Sequence, residues 1–396
     1  MRHAVAKPSL LCLWLSGLAV VSVVGFWENG SAEPASTSSP KPSAVAGQQA
    51  TAGAERHLAN IRQLIHGRKN AEAYFSFDGE KLIFQSTNNW ITTGVAGSAT
   101  SENADPQGLG CYQMYTMDLQ SREIRLVSTG GGGTTCGYFF PGGRRVLYSS
   151  THLNGPHCPP KPKRGPRYRW ALHDFDIFSA RVDGQHLQRL TAAPGYDAEA
   201  TISPDGKKIV FTSMRDGDLE LYTMDLDGTH FTRLTHEVGY DGGAFFSPDS
   251  RRIVYRASHP KTQAEIDTYR RLLGQNLVEP SQLDIYVMNA DGSGKQQVTR
   301  NGASNFAPFF HPDGRRIIFS SNQHDRNAPS AGQPGRPTFH LHLIDDDGRN
   351  LKQVTFVGRF NSFPMFSPDG TTLVWVSDRH TTKPGEFNIF LADWVP

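Results

Sequence analysis

The chain has 396 residues, of which 37% are apolar and 20% charged, a balance that supports packed cores and excludes a wholly disordered protein. Forty basic against 38 acidic side chains leave a formal net charge of +2, so no strong field recruits nucleic acid or a membrane surface, and a polyanion binder is excluded as the starting reading. Thirty-nine Gly and 25 Pro beside 23 Phe and 12 Tyr point to many short strands joined by turns.

Arg2, His3 and Lys7 precede an apolar run from Leu10 to Phe26, and small residues follow through Gly30, Ser31 and Ala32. Residues 1–32 therefore read as a signal peptide, cleaved near Glu33, or as a retained membrane anchor. Residues 33–57, rich in Ala, Ser, Thr, Pro and Gln, cannot bury a core and read as a disordered linker. The expected location is periplasmic or secreted, with an uncleaved N-terminal helix as the anchored alternative. Export leaves Cys111, Cys136 and Cys158, an odd count that allows one disulfide and one free thiol, with the pairing open. No CxxC spacing suggests zinc.

From residue 58 to 396 one phrase recurs six times: AYFSFDGEKLIFQS (73–86), GYFFPGGRRVLYSS (137–150), ATISPDGKKIVFTS (200–213), AFFSPDSRRIVYRA (244–257), APFFHPDGRRIIFSS (307–321) and PMFSPDGTTLVWVS (364–377). In each, a PDG-type turn joins two apolar runs, because Pro presets one dihedral and Gly accepts a positive one. A third run follows, as in LELYTMDLDG, and a fourth, as in FTRLT (219–235 together). Four strands per unit make a propeller blade. The sixth unit lacks its fourth strand, and a run that fits the vacancy, NIRQLI (60–65), stands before the first. The expected fold is all-β: a six-bladed β-propeller of four-stranded blades over 58–396, closed by an N-terminal strand that completes the C-terminal blade and removes exposed edges.

The SPDG hairpin followed by a YxMDxDG strand and an RLT strand resembles the WD-like repeat of the TolB-like six-bladed propellers. The resemblance covers about six-sevenths of the chain, without the α/β domain that precedes the propeller in TolB itself. It implies a binding scaffold, since such propellers serve as binding modules, protease gates and occasionally lyases. The lyases of this type imply histidine-rich metal sites on the loop face, where this chain offers His152, His157, His173, His236, His259 and His380. No GxSxG elbow, HExxH helix or Walker loop is present, which removes serine-peptidase, zincin and P-loop designs.

Insertions fall between second and third strands, at 87–110, 151–173, 258–282 and 322–338, so one face is decorated and the other plain; recognition is expected on the decorated one. Aligned on the turn, the innermost strands place Asn70, Thr134, Asp197, Asp241, Asn305 and Asn361 in one column and Glu72, Cys136, Glu199, Gly243, Ala307 and Phe363 two residues further on. The first column is expected to form a hydrophilic channel mouth, and Asn70, Glu72, Asp197, Glu199, Asp241, Asn305 and Asn361 are the candidate ligand-binding residues. Such a ring of oxygens suits calcium or another divalent cation, or a cationic peptide end; a solvated structural mouth is the competing reading. The blade-two insertion, with Lys161, Lys163, Arg164, Arg167, Arg169, Tyr168 and Trp170, suits an anionic partner or glycan. TQAEIDTYRRLLGQ (262–275) predicts a short amphipathic helix over the mouth, capped by Thr262 and Glu265 and stopped at Gly274. The predicted function is an exported monomeric propeller that binds an envelope protein or peptide, with no nucleic acid; a metal-dependent polysaccharide lyase on the same face is the alternative.

Overall fold

The computed structural model describes residues 55–88, 110–163, 168–280, 282–325, 337–381 and 383–396. The expected signal or anchor segment and most of the linker lie outside these residues. So do most of the insertions at 87–110 and 322–338, together with Arg164 and Arg167. No described helix is long and apolar enough to cross a membrane.

Six antiparallel four-stranded sheets make six blades. Their innermost strands are Asn70–Phe75, Thr134–Phe139, Asp197–Ile202, Tyr240–Phe246, Asn305–Phe310 and Asn361–Phe366. The sixth blade takes its outermost strand from Leu58–Gln63, which pairs with Asn388–Trp394, so the ring closes between the two ends of the described chain. Outermost strands in blades two to five are only two residues long, which blunts the one edge each blade leaves open.

The hairpin turns follow from side-chain chemistry. In blades one, three, four and six a Ser hydroxyl donates to the turn Asp, at Ser76–Asp78, Ser203–Asp205, Ser247–Asp249 and Ser367–Asp369. That Asp accepts the amide two residues on, and the Ser oxygen accepts the amide that begins the second strand. These Asx-type bonds give the turn backbone its partners without strand pairing. In blade five His311 takes the place of Ser and accepts the Asp313 amide through Nδ1.

The aromatic column three residues before each turn, Phe75, Phe139, Ile202, Phe246, Phe310 and Phe366, is buried between blades. Two positions earlier in blade two, Gly137 has no room for a side chain: a Cβ there would meet the sulfur of Met114 and the side chain of Ile83.

Each innermost strand breaks register once, two residues beyond its first-column residue. The residue at the break adopts a positive φ in every blade: Glu72 (51°), Cys136 (54°), Glu199 (59°), Gly243 (58°), Ala307 (51°) and Phe363 (52°). A bulge of this kind re-aims one side chain, and five of the six residues accept left-handed strain of about 1–2 kcal/mol to do so. This ring of bulges, and not the first column, faces the channel.

Candidate functional site

The first-column side chains are 1% exposed or less. Asn70 donates to the carbonyls of Gly67 and Phe387, Asn305 to that of Leu283, and Asn361 to those of Phe339 and Val357. They cap the crossings between blades instead of forming a solvent-facing mouth, because the bulge turns the next inward position to the channel and leaves this one in the crossing.

Where column one carries a carboxylate, a cation accompanies it two residues beyond the second-strand residue that pairs with it. Asp197 pairs with Arg215 at 3.2 Å and Asp241 with His259 at 3.1 Å. Burial pushes both carboxyls above the usual range, against the pull of these partners. Blade six has Arg379 at the equivalent place. Asn361 carries no charge for it to meet, and Arg379 pairs at 3.0 Å with Glu55. Glu55, at the end of the stretch read as linker, is thus packed into the ring and also accepts the amides of Phe356 and Val357.

The channel cavity is lined by Glu72, Tyr74, Cys136, Glu199, Arg256 and Phe363, among others. Glu199 is saturated. It accepts from Thr212 of its own blade, from the Gly243 amide of the next, from the Tyr240 hydroxyl and from the Arg256 guanidinium. Arg256 also donates to Tyr240 Oη at 2.9 Å. Glu72 is different: burial pushes its pKa up to about 7, with Glu199 adding to the rise and hydrogen bonds from Cys136 opposing it. Burial likewise raises the Cys136 thiol well above its ordinary value.

On the decorated face the insertions of blades two and four meet. Trp170–Ala171 pairs antiparallel with Leu277–Val278, Leu172 donates its amide to Asn276 O, and Arg169 is ion-paired with Glu279. Leu172, Leu273 and Val278 share an apolar cluster with Tyr196, Leu219 and Tyr240. Cys111 and Cys158 form the disulfide that staples the blade-two insertion to blade one, leaving Cys136 free. The predicted helix is present as Gln263–Leu273 with both halves of its capping box. Its Tyr269 hydroxyl bonds Asp218 and the Gly239 carbonyl, which anchors it at the crossing of blades three and four and not on the channel ring. Tyr168 remains 56% exposed on this platform.

Of the seven candidate residues, the structure gathers only Glu72 and Glu199 at the channel. Asn70, Asp197, Asp241, Asn305 and Asn361 are spread among separate crossings. Among the described residues no group of three or more His, Cys, Asp or Glu is placed to hold a metal ion. Sequence reasoning passed over Arg256. Its signal is the break in a column where the other second strands carry Gln85, Ser149, Thr212, Ser320 and Val376. It named His152 and His259 only as loop-face histidines and passed over the column they share with Asn88, Arg215, Gln323 and Arg379, two residues beyond the second-strand partner of column one.

Residues 172–275 match the family model of the TolB β-propeller domain. A TolB homolog of Chlorobium luteolum is 27% identical over 158 residues, covering 31% of this chain and 35% of that protein, so the chain spans about a third of this curated relative's length. A solved structure described as a putative TolB from Agrobacterium tumefaciens is 20% identical, covers 85% of this chain and 94% of its own, and has a TM-score of 0.52, a likeness of fold alone. An oligogalacturonate lyase from Vibrio parahaemolyticus is 15% identical, covering 85% of this chain and 93% of its own, at a TM-score of 0.46, too distant to bear on activity. The recurring SPDG hairpins and the six closed blades make the chain a six-bladed β-propeller, similar over residues 172–275 to the TolB propeller domain.

Proposed function

We propose that the chain is an exported binding module of the cell envelope, which holds a protein or peptide partner on its insertion-bearing face, beside the channel mouth. One observation carries this reading: the insertions of blades two and four are joined by strand pairing, the Arg169–Glu279 ion pair and a shared apolar cluster. Loops that merely cap a ring have no need to be tied to each other, whereas a platform of fixed shape lowers the ordering cost of recognition. The exposed Tyr168, Lys161 and Lys163 of the blade-two insertion offer the aromatic and cationic contacts that interfaces use. We read the chain as a monomer, since in blades two to five the open edge is a strand of only two residues.

The test is affinity capture from an envelope extract with the chain from residue 47 onward, beside a variant in which 157–169 is replaced by a short Gly-Ser linker and Cys111 by Ser. The expected result is a partner held by the first and lost by the second while the variant still unfolds in one cooperative thermal transition, at a midpoint lowered by loss of the bridge. Equal capture by both would overturn the face assignment.

A further inference from the structure

The charges at the channel do not balance. Glu72 and Glu199 are two carboxylates against one guanidinium, and Arg256 is spent on Glu199 at 2.5 Å and on Tyr240. No ion pair reaches Glu72 among the described residues; the group beside it is the neutral Cys136, whose amide donates to Gln85 Oε1. Beside it the cavity has about 30 Å³ open to the centre of a water-sized group, room for about two waters. An ammonium head is the size of a water molecule and fits this space. Calcium, which takes 6–8 oxygen ligands, finds a single uncommitted carboxylate here. Tyr112 interacts electrostatically with both Glu72 and Tyr168, so phenol groups lie near this carboxylate, and aromatic surfaces favour a cation.

We infer that this cavity receives the primary ammonium of a ligand, a lysine side chain or a chain N-terminus, with Glu72 as the carboxylate that pairs with it. The inference deepens the binding reading above and rests on it for its biological setting. A cation at this place restores the charge balance of the channel and relieves the cost of ionising a buried carboxylate. The groups facing Glu72 are Glu199, Arg256, Cys136, Tyr74 and Tyr112. Glu72, with its value of about 7, changes its ionisation between pH 6 and pH 8.

The experiment is a titration followed by NMR with two probes, Nα-acetyl-lysine methylamide for a side-chain ammonium and alanine amide for a terminal one. Nα,Nε-diacetyl-lysine methylamide serves as the uncharged control and tetramethylammonium as the oversized one. At least one ammonium probe is expected to bind at least about tenfold more tightly than either control, and which one does so tells the two sources apart. The lysine probe stays charged throughout, and its affinity should rise about tenfold from pH 6 to pH 8 as Glu72 ionises. In Glu72→Gln the affinity should fall at least about tenfold and lose its pH dependence. Equal binding of the acetylated control, a flat pH profile, or an unchanged Glu72→Gln would overturn the inference. The first two readouts use the wild type and stand even if the variant does not fold. The titration involves no partner protein. Its failure leaves partner capture on the insertion face standing, and capture that survives loss of the insertions defeats the binding reading while leaving the titration to be judged alone.

Discussion

Arg256 of blade four closes across the blade boundary on Glu199 of blade three, with both side chains nearly buried. Glu199 also takes the Gly243 amide of the neighbouring blade, so one carboxylate joins two blades through an ion pair and a backbone bond. Removing one partner of such a pair leaves the other charged and buried, at a cost of about 3–5 kcal/mol. Arg256→Met is therefore expected to lower unfolding free energy by about that amount in urea denaturation. The double variant Glu199→Gln/Arg256→Met should lose distinctly less than the sum of the two single changes.

Gly242 supplies the space for this pair. A Cβ there would collide with the Glu199 carboxylate and the Tyr240 hydroxyl, and such overpacking costs about 1–3 kcal/mol. Gly242→Ala should lower the thermal midpoint accordingly. Ala307 occupies the equivalent of Gly243 at a φ of 51°, so Ala307→Gly relieves left-handed strain. It is expected to leave the midpoint unchanged or slightly raised, the reverse of the usual effect of glycine in a strand.

His259 lies between Asp241 at 3.1 Å and Glu237 at 3.2 Å. Burial opposes its charge, but Asp241 and then Glu237 outweigh burial and raise its pKa above 6.5. A raised folded value means that the stabilisation is complete below 6.5 and is lost as pH rises through the folded value. Asp241 is also raised, by burial and against the pull of His259. Stability of the wild type should thus decline on the alkaline side of 6.5 relative to His259→Gln, as read from urea midpoints across pH 6 to 9.

The Cys111–Cys158 bridge spans a sequence separation of 47, for which loop-closure entropy gives about 4 kcal/mol. Reduction by dithiothreitol should lower stability by up to about that amount. Cys136, whose thiol burial raises well above its ordinary value, should react with an aromatic disulfide reagent at pH 8 only as the protein unfolds.

Blade number, strand order and ring closure were legible because each rests on local chemistry: the Ser–Asp–Gly turn, strand alternation and a vacant fourth strand. The helix Gln263–Leu273 was legible for the same reason, since its capping box is a three-residue relationship. The channel was legible only in part. Both inward columns could be aligned from the repeat, but which faced the channel depended on a bulge, and no residue pattern marks it when Glu, Cys, Ala and Phe all occupy the left-handed position. Arg256, the Asp197–Arg215 pair and the Glu55–Arg379 pair join residues 18 to 324 positions apart or across blades. Only the closed ring brings Glu55 to Arg379. The joined insertions were likewise beyond reach, because strand pairing between Trp170 and Val278 has no register cue in sequence.

The most direct measurement of the central claim is site-specific photo-crosslinking in the native envelope. A benzophenone amino acid is placed at Tyr168 on the insertion-bearing face and, in a second protein, at Lys207 on the plain face, both exposed positions. The account expects a discrete adduct from position 168 and none from position 207. An adduct from 207 alone, or the same adduct from both, would contradict it.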